Sequence, residues 1–119
     1  MFQYYVPLTT SNEMSVADVV RECHAEKWAP VIVMKTENRI VVPVFSLHDV
    51  AMKFIFRNFG KIVEPTSGTI GINEEHFDIF INKGWEVEIF NFPRKITTLE
   101  IEIVEIPEGF HMPNQGVWT

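Results

Sequence analysis

Cysteine is almost absent. The 119 residues hold one, Cys23, which excludes an intrachain disulfide framework and any zinc site built on several thiolates. No apolar run approaches the roughly 18 residues of a membrane-spanning helix. Six glycines and seven prolines, spread without a period, exclude a collagenous or low-complexity chain. Cations are also scarce, with ten Lys/Arg against sixteen Asp/Glu and a formal net charge of -6. Neutralising phosphates takes clustered cations, so direct nucleic-acid binding is not expected. The start, Met1 to Leu8, lacks the basic head and small-residue cleavage site of a secretory signal, so a cytoplasmic location is expected and no membrane partner.

What the sequence does contain is core-forming material. Hydrophobic residues make up 46% and aromatic residues 13%, enough for one domain that buries about two-thirds of the surface its unfolded chain exposes. With no linker, repeat or composition break, the chain reads as a single α+β domain over 1–119, with 107–119 a tail that packs back or contacts a partner. The charge is uneven. Residues 1–63 carry seven Lys/Arg and six Asp/Glu, whereas residues 64–119 carry three and ten.

Phe2 to Leu8 reads as a first strand, with Pro7 at its end or on an edge because proline cannot donate to a ladder. Ser15 caps a first helix whose Val16, Val19, Val20 and Cys23 share a face. Beyond Pro30, residues 31–45 read as a hairpin turned at Thr36, Glu37 and Asn38. A second helix runs from a Ser46 cap to Gly60, with Leu47, Val50, Ala51, Phe54 and Ile55 as its core face. A second apolar stripe, Met52, Phe56 and Phe59, leaves Asp49, Lys53 and Arg57 as a narrow polar line. Something besides the sheet should cover that stripe: either the tail, through Phe110, Met112 and Trp118, or a second subunit or partner. Lys61 to Val63 is a short strand, Pro65 to Gly68 a turn and Thr69 to Ile72 another extended piece. Asn73 opens a third, short helix closed by Gly84.

The C-terminal part reads as a long hairpin, Trp85 to Phe92 and Ile96 to Ile106, turned at Pro93, Arg94 and Lys95. A three-residue loop pairs Ile89 with Leu99, Val87 with Ile101 and Trp85 with Ile103. That register sets Glu88 opposite Glu100 and Glu86 opposite Glu102, where like charges repel. Three readings of this acidic face stand. It is solvated and screened; or Lys53, Arg57 and Lys61 sit among the carboxylates; or it meets a basic partner, as a decoy for a nucleic-acid-binding protein would.

Catalytic chemistry is hard to find. Cys23 and His24 are helix neighbours that point about 100° apart and cannot act on one another. His48 and His76 stand in first helical turns, no two histidines have zinc spacing, and no Asp-rich calcium loop occurs, so no metal and no cofactor are expected. Ser67, Gly68, Thr69, Ile70 and Gly71 lack the lysine and long helix of a phosphate loop. A ligand pocket, if present, is placed at His76 and Trp85, close to the tail.

Val42, Pro43, Val44, Phe45, Ser46, Leu47, His48, Asp49, Val50 and Ala51 pass from a strand straight into a capped helix. This junction resembles that of SseB-like bacterial domains, which implies a small α/β module that contacts other proteins. The expected architecture is a mixed or mostly antiparallel sheet of five or six strands with three helices on one face. The expected function is that of a non-enzymatic interaction or accessory protein of bacterial or phage type, a homodimer or the binder of a protein partner. Small-molecule binding or catalysis under the tail, and an acidic decoy, are the alternatives.

Overall fold

The computed structural model describes residues 3–9, 28–59 and 67–105. Six strands form one sheet: β1 (Tyr4–Thr9), β2 (Trp28–Lys35), β3 (Ile40–Phe45), β4 (Ser67–Ile72), β5 (Glu86–Phe90) and β6 (Leu99–Glu105). Two α-helices, α1 (His48–Phe59) and α2 (Phe77–Ile81), and a 3₁₀ turn over Glu74–His76 complete the described elements. Neither helix is long and apolar enough to cross a membrane. The helix expected from Ser15, the strand at Lys61 to Val63 and the tail 107–119 lie outside the described residues.

The β2–β3 hairpin forms as expected, turned over Thr36 to Arg39, but β2 begins at Trp28 and so carries Pro30 inside it. Likewise β4 starts at Ser67, within the expected turn. Pairing then departs from the expected order. β5 runs parallel to β3 with Val41 opposite Glu86 and Phe45 opposite Phe90, while β6 runs antiparallel to β2 with Met34 opposite Leu99 and Trp28 opposite Glu105. The long C-terminal hairpin therefore does not exist. β5 and β6 are opposite edges of a leaf ordered β6–β2–β3–β5, and residues 91–98 cross from one edge to the other.

The crossing is anchored by one side chain. Asn58 of α1 donates Nδ2 to the carbonyls of Phe54 and Arg94, both at 2.8 Å, and its Oδ1 accepts the Ile96 N–H at 2.6 Å. The three residues that satisfied hairpin arithmetic, Pro93 to Lys95, instead belong to a connection tied to the helix. The 40 residues from Ser46 to Trp85 give β3 and β5 the long connection that a parallel pair needs.

Alternation along β2 and β3 separates two cores. Ile32, Met34, Val41 and Phe45 face α1, packing with Ala51, Met52, Phe54 and Ile55. Val31, Val33, Val42 and Val44 face the other way, against Phe80 of α2 and the inward residues of β1 and β4. The described helices thus cover opposite faces, not one, and the central strands are buried on both sides. That explains why Val31 to Val33 form a continuous apolar run, as doubly covered strands do.

A proline seam lets the sheet fold. Thr36 donates its N–H to Arg39 at 2.9 Å, so the hydrogen-bonded pairs of the β2–β3 ladder are 36 with 39 and 34 with 41; the next would be Ile32 with Pro43 and Pro30 with Phe45. Neither proline has an N–H to give. The ladder stops after Met34–Val41, the strands diverge, and β1 enters the gap, pairing Leu8 with Val31 and Tyr5 with Phe45. Three mutually antiparallel strands cannot lie flat, so β1 and β4 turn out of the plane as a second leaf. Strand alternation directs Pro7 into the same seam, which corrects its expected place at an end or edge: it is interior to β1, opposite Thr69.

Candidate functional site

The turn of the β2–β3 hairpin projects Lys35 and Arg39 to opposite faces of the sheet, because Lys35 shares the parity of Val33 and Arg39 that of Val41. Each meets carboxylates there. Arg39 grips Glu86 with a two-pronged contact, Nε to Oε2 at 2.6 Å and Nη2 to Oε1 at 3.1 Å. Lys35 reaches Glu100 Oε2 at 3.0 Å and Glu102 Oε1 as well. By register, Glu86 and Glu88 lie on the α1 face of one edge strand, whereas Glu100 and Glu102 lie on the opposite face of the other edge strand. The single patch of four carboxylates is therefore absent, because it depended on pairing β5 with β6. Cations do sit among the glutamates, but they are Lys35 and Arg39. Among the described residues, neither Lys53 nor Arg57 has a recorded ion pair, and Lys61 lies outside them.

The electrostatics follow from these contacts. The hydrogen bonds from Arg39 hold the Glu86 carboxyl below the ordinary carboxylate range, and those to Glu102 and Glu100 raise Lys35 above the ordinary lysine value. A carboxyl lowered by folding stabilises above its unfolded value, and that stabilisation is lost as pH falls through the lowered one. A raised lysine stabilises below its unfolded value and ceases to do so as pH rises through the raised one. Both ties are closed at neutral pH. On acidification from neutral, the melting temperature of the wild type is expected to fall slightly more steeply than that of Glu86→Gln. The difference is small because exposed pairs are screened. Parallel melting curves for the two proteins across this range would show that the Arg39 fork contributes no stability.

Beside this turn lies an open cleft of about 400 Å³, lined by Lys35, Arg39, Ile40, Lys83, Gly84 and Trp85 among others. Trp85 stacks on Phe80 with planes 9° apart, and the Lys83 ammonium stands 5.4 Å from its ring centre. Gly84 holds φ at +84°, the left-handed conformation that ends α2 and swings Trp85 onto the sheet. Trp85 thus lines a cleft, but His76 does not share it. His76 is buried in the 3₁₀ turn, where its Nδ1 accepts the Asn73 N–H at 2.9 Å. The Asn73 side chain in turn accepts the Gln3 N–H at 3.0 Å, tying the start of β1 to this turn. His48 packs edge-on to Tyr5, with centroids 5.6 Å apart. Among the described residues, no three His, Cys, Asp or Glu converge as metal ligands. Cys23, His24 and His111 lie outside them.

The expected apolar stripe of α1 is divided. Met52 is 3% exposed and belongs to the core, whereas Phe56 is 54% exposed. Phe59 ends the helix, and nothing is described of its side chain; Phe110, Met112 and Trp118 lie outside the described residues. Leu47, assigned to the core face from its spacing, precedes the first helical turn and is exposed instead. Sequence reasoning placed Ile103 on the apolar face of a hairpin and Phe92 at the end of a strand, assigning neither to a contact surface; both are exposed. Ile103 shares the α1 face of β6 with Leu99, and Phe92 begins the crossing that Asn58 anchors beside α1. It also missed the cations of the hairpin turn, although Lys35 and Arg39 flanking Thr36 to Asn38 were a readable signal. Comparison with protein-family models, with curated proteins and with solved structures finds no match to this chain.

Proposed function

We propose that this chain is a non-enzymatic interaction protein that associates with a second copy of itself through the α1 side of the sheet. One observation carries the reading: of the six large apolar side chains exposed among the described residues, four, Leu47, Phe56, Phe92 and Ile103, belong to elements of that one side, against Ile81 and Ile89 on the other. Single exposed apolar residues are ordinary, but several on one side are characteristic of a contact surface. The resemblance of the Val42 to Ala51 junction to SseB-like domains is in keeping with it. Sedimentation is expected to show a dimer for the wild type and a monomer for Phe56→Glu. Because Phe56 is exposed, its replacement should change stability by no more than about 0.5 kcal/mol. A wild type that sediments as a monomer at tens of micromolar would overturn self-association.

A second reading rests on the cleft. Its volume lies within the usual range for small-molecule sites, and Trp85 offers an aromatic wall. The three lining cations are already engaged, Lys35 and Arg39 by carboxylates and Lys83 by the indole, so the cleft supports ligand binding less well than the exposed side supports association.

A further inference from the structure

We infer that the outer edge of β6 is a docking site for an extended, lysine- or arginine-bearing segment of a partner protein, added to the sheet as a further strand. The inference rests on reading the chain as an interaction protein, but it uses a surface other than Phe56. The phase of the ladder settles which backbone groups are available. Lys35 donates its N–H to the Thr98 carbonyl at 2.8 Å, and these residues stand opposite one another in the β2–β6 register. They are therefore a hydrogen-bonded pair, and by alternation Glu100, Glu102 and Val104 also turn their N–H and C=O groups toward β2. Leu99, Ile101, Ile103 and Glu105 turn theirs outward. Among the described residues β6 pairs only with β2, so this row is a template for another strand.

The side chains define what that strand carries. On one face of the edge stand Glu100 and Glu102; on the other stand Ile101 and Ile103, the latter 58% exposed. Residues directly opposite in adjacent strands have Cβ atoms about 4.5 to 5.5 Å apart. An added segment that alternates cations with apolar residues sets each cation beside a glutamate and each apolar side chain beside an isoleucine. A second copy of β6 does the reverse. It has no cation of its own, so self-pairing gathers Glu100 and Glu102 from both copies on one face of the seam, and Glu105 from both copies on the other. Lys35 lies between Glu100 and Glu102, so two carboxylates share one cation and this face keeps one net negative charge; the edge suits a basic segment better than its own sequence, which is how charge sets specificity.

The probe is a fluorescent nine-residue peptide alternating lysine and valine, titrated into the full chain and followed by anisotropy. Saturable binding is expected, weakened by salt and absent for the glutamate–valine peptide. Methylating alternate peptide nitrogens on the ladder side should weaken binding at least about tenfold by removing donors. The joint change Glu100→Gln and Glu102→Gln should do the same at unchanged far-ultraviolet circular dichroism. In hydrogen exchange, bound peptide is expected to slow the Ile101 and Ile103 amides, while those of Glu100 and Glu102 are slow from the start. No saturable binding, or binding indifferent to methylation or to both glutamine changes, overturns the proposal. Slow Ile101 and Ile103 amides in the peptide-free dimer that quicken in Phe56→Glu would also overturn it, since they would seat a second copy on this edge. Repeating the titration on Phe56→Glu separates the two ideas: binding retained there supports the edge whatever the assembly state, and a dimeric wild type that ignores the peptide overturns the edge alone.

Discussion

Phe54→Ala is expected to cost about 3 to 5 kcal/mol, a large part of the roughly 5 to 15 kcal/mol that holds a domain folded. Phe54 is fully buried and is one of three mutually packed rings, 5.1 Å from Phe45 and 6.1 Å from Phe90, with Phe45 and Phe90 5.6 Å apart. Those rings belong to α1, β3 and β5, so the cavity opens where the helix joins the sheet and its edge. Rigid strands on the far side cannot relax into it, because Val42 and Val44 are fully buried there too. A fall in melting temperature on the order of 10 to 25 °C should follow. Phe54→Leu, which keeps much of the volume, should cost about 1 kcal/mol. A Phe54→Ala protein that melts like the wild type would mean that α1 is not packed on β3 and β5 through these rings.

Asn58→Ala is expected to cost about 2 to 3 kcal/mol, although it removes little apolar surface. The change strips partners from the Arg94 carbonyl and the Ile96 N–H, and Ile96 is half-buried against the core on the α1 face. Three hydrogen bonds are lost, each contributing about 0.5 to 1.5 kcal/mol net, least at the exposed Arg94 carbonyl, which water can satisfy. Asn58→Asp is the informative companion. It can still accept from Ile96, but it turns a carboxylate oxygen toward two carbonyls, so it should be no better than alanine. Hydrogen exchange provides the second readout: the Ile96 amide should quicken more than those of β2. Equal acceleration across the sheet would show that Asn58 supports the whole domain and does not specifically pin the crossing.

Much of the local structure was legible in the sequence. Helical spacing located α1, turn residues located the β2–β3 hairpin, and Asn73 marked the start of the 3₁₀ turn. Alternation also found β5 and β6 and told correctly which residues of each share a face. It could not tell which strands they pair with. Pairing β5 with β6 needs only matched apolar sets and an odd loop, and Pro93 to Lys95 supply both. The actual arrangement is decided by tertiary partners that no short window contains: Phe90 in the ring cluster, Ile96 in the α1 core and Asn58 gripping the chain between them. The repeated glutamates of β5 and β6, read as a problem for one face, mark two separate edges. Pro30 and Pro43 carried the remaining signal. Each breaks the simple strand pattern, and together they specify where the hairpin must open.

The strand order also has a consequence in time. Among the described strands only β2 and β3 pair with a close neighbour in the chain; Tyr4 waits for Ile72, Val41 for Glu86 and Trp28 for Glu105. Closing such long loops exacts its entropy before any ladder rewards it, so this chain should fold slowly for its length. During synthesis, the hairpin can exist long before its flanks do, already holding out Lys35 on one side and Arg39 on the other. β5 and β6 arrive later, each bearing the carboxylates that one of those cations is placed to meet.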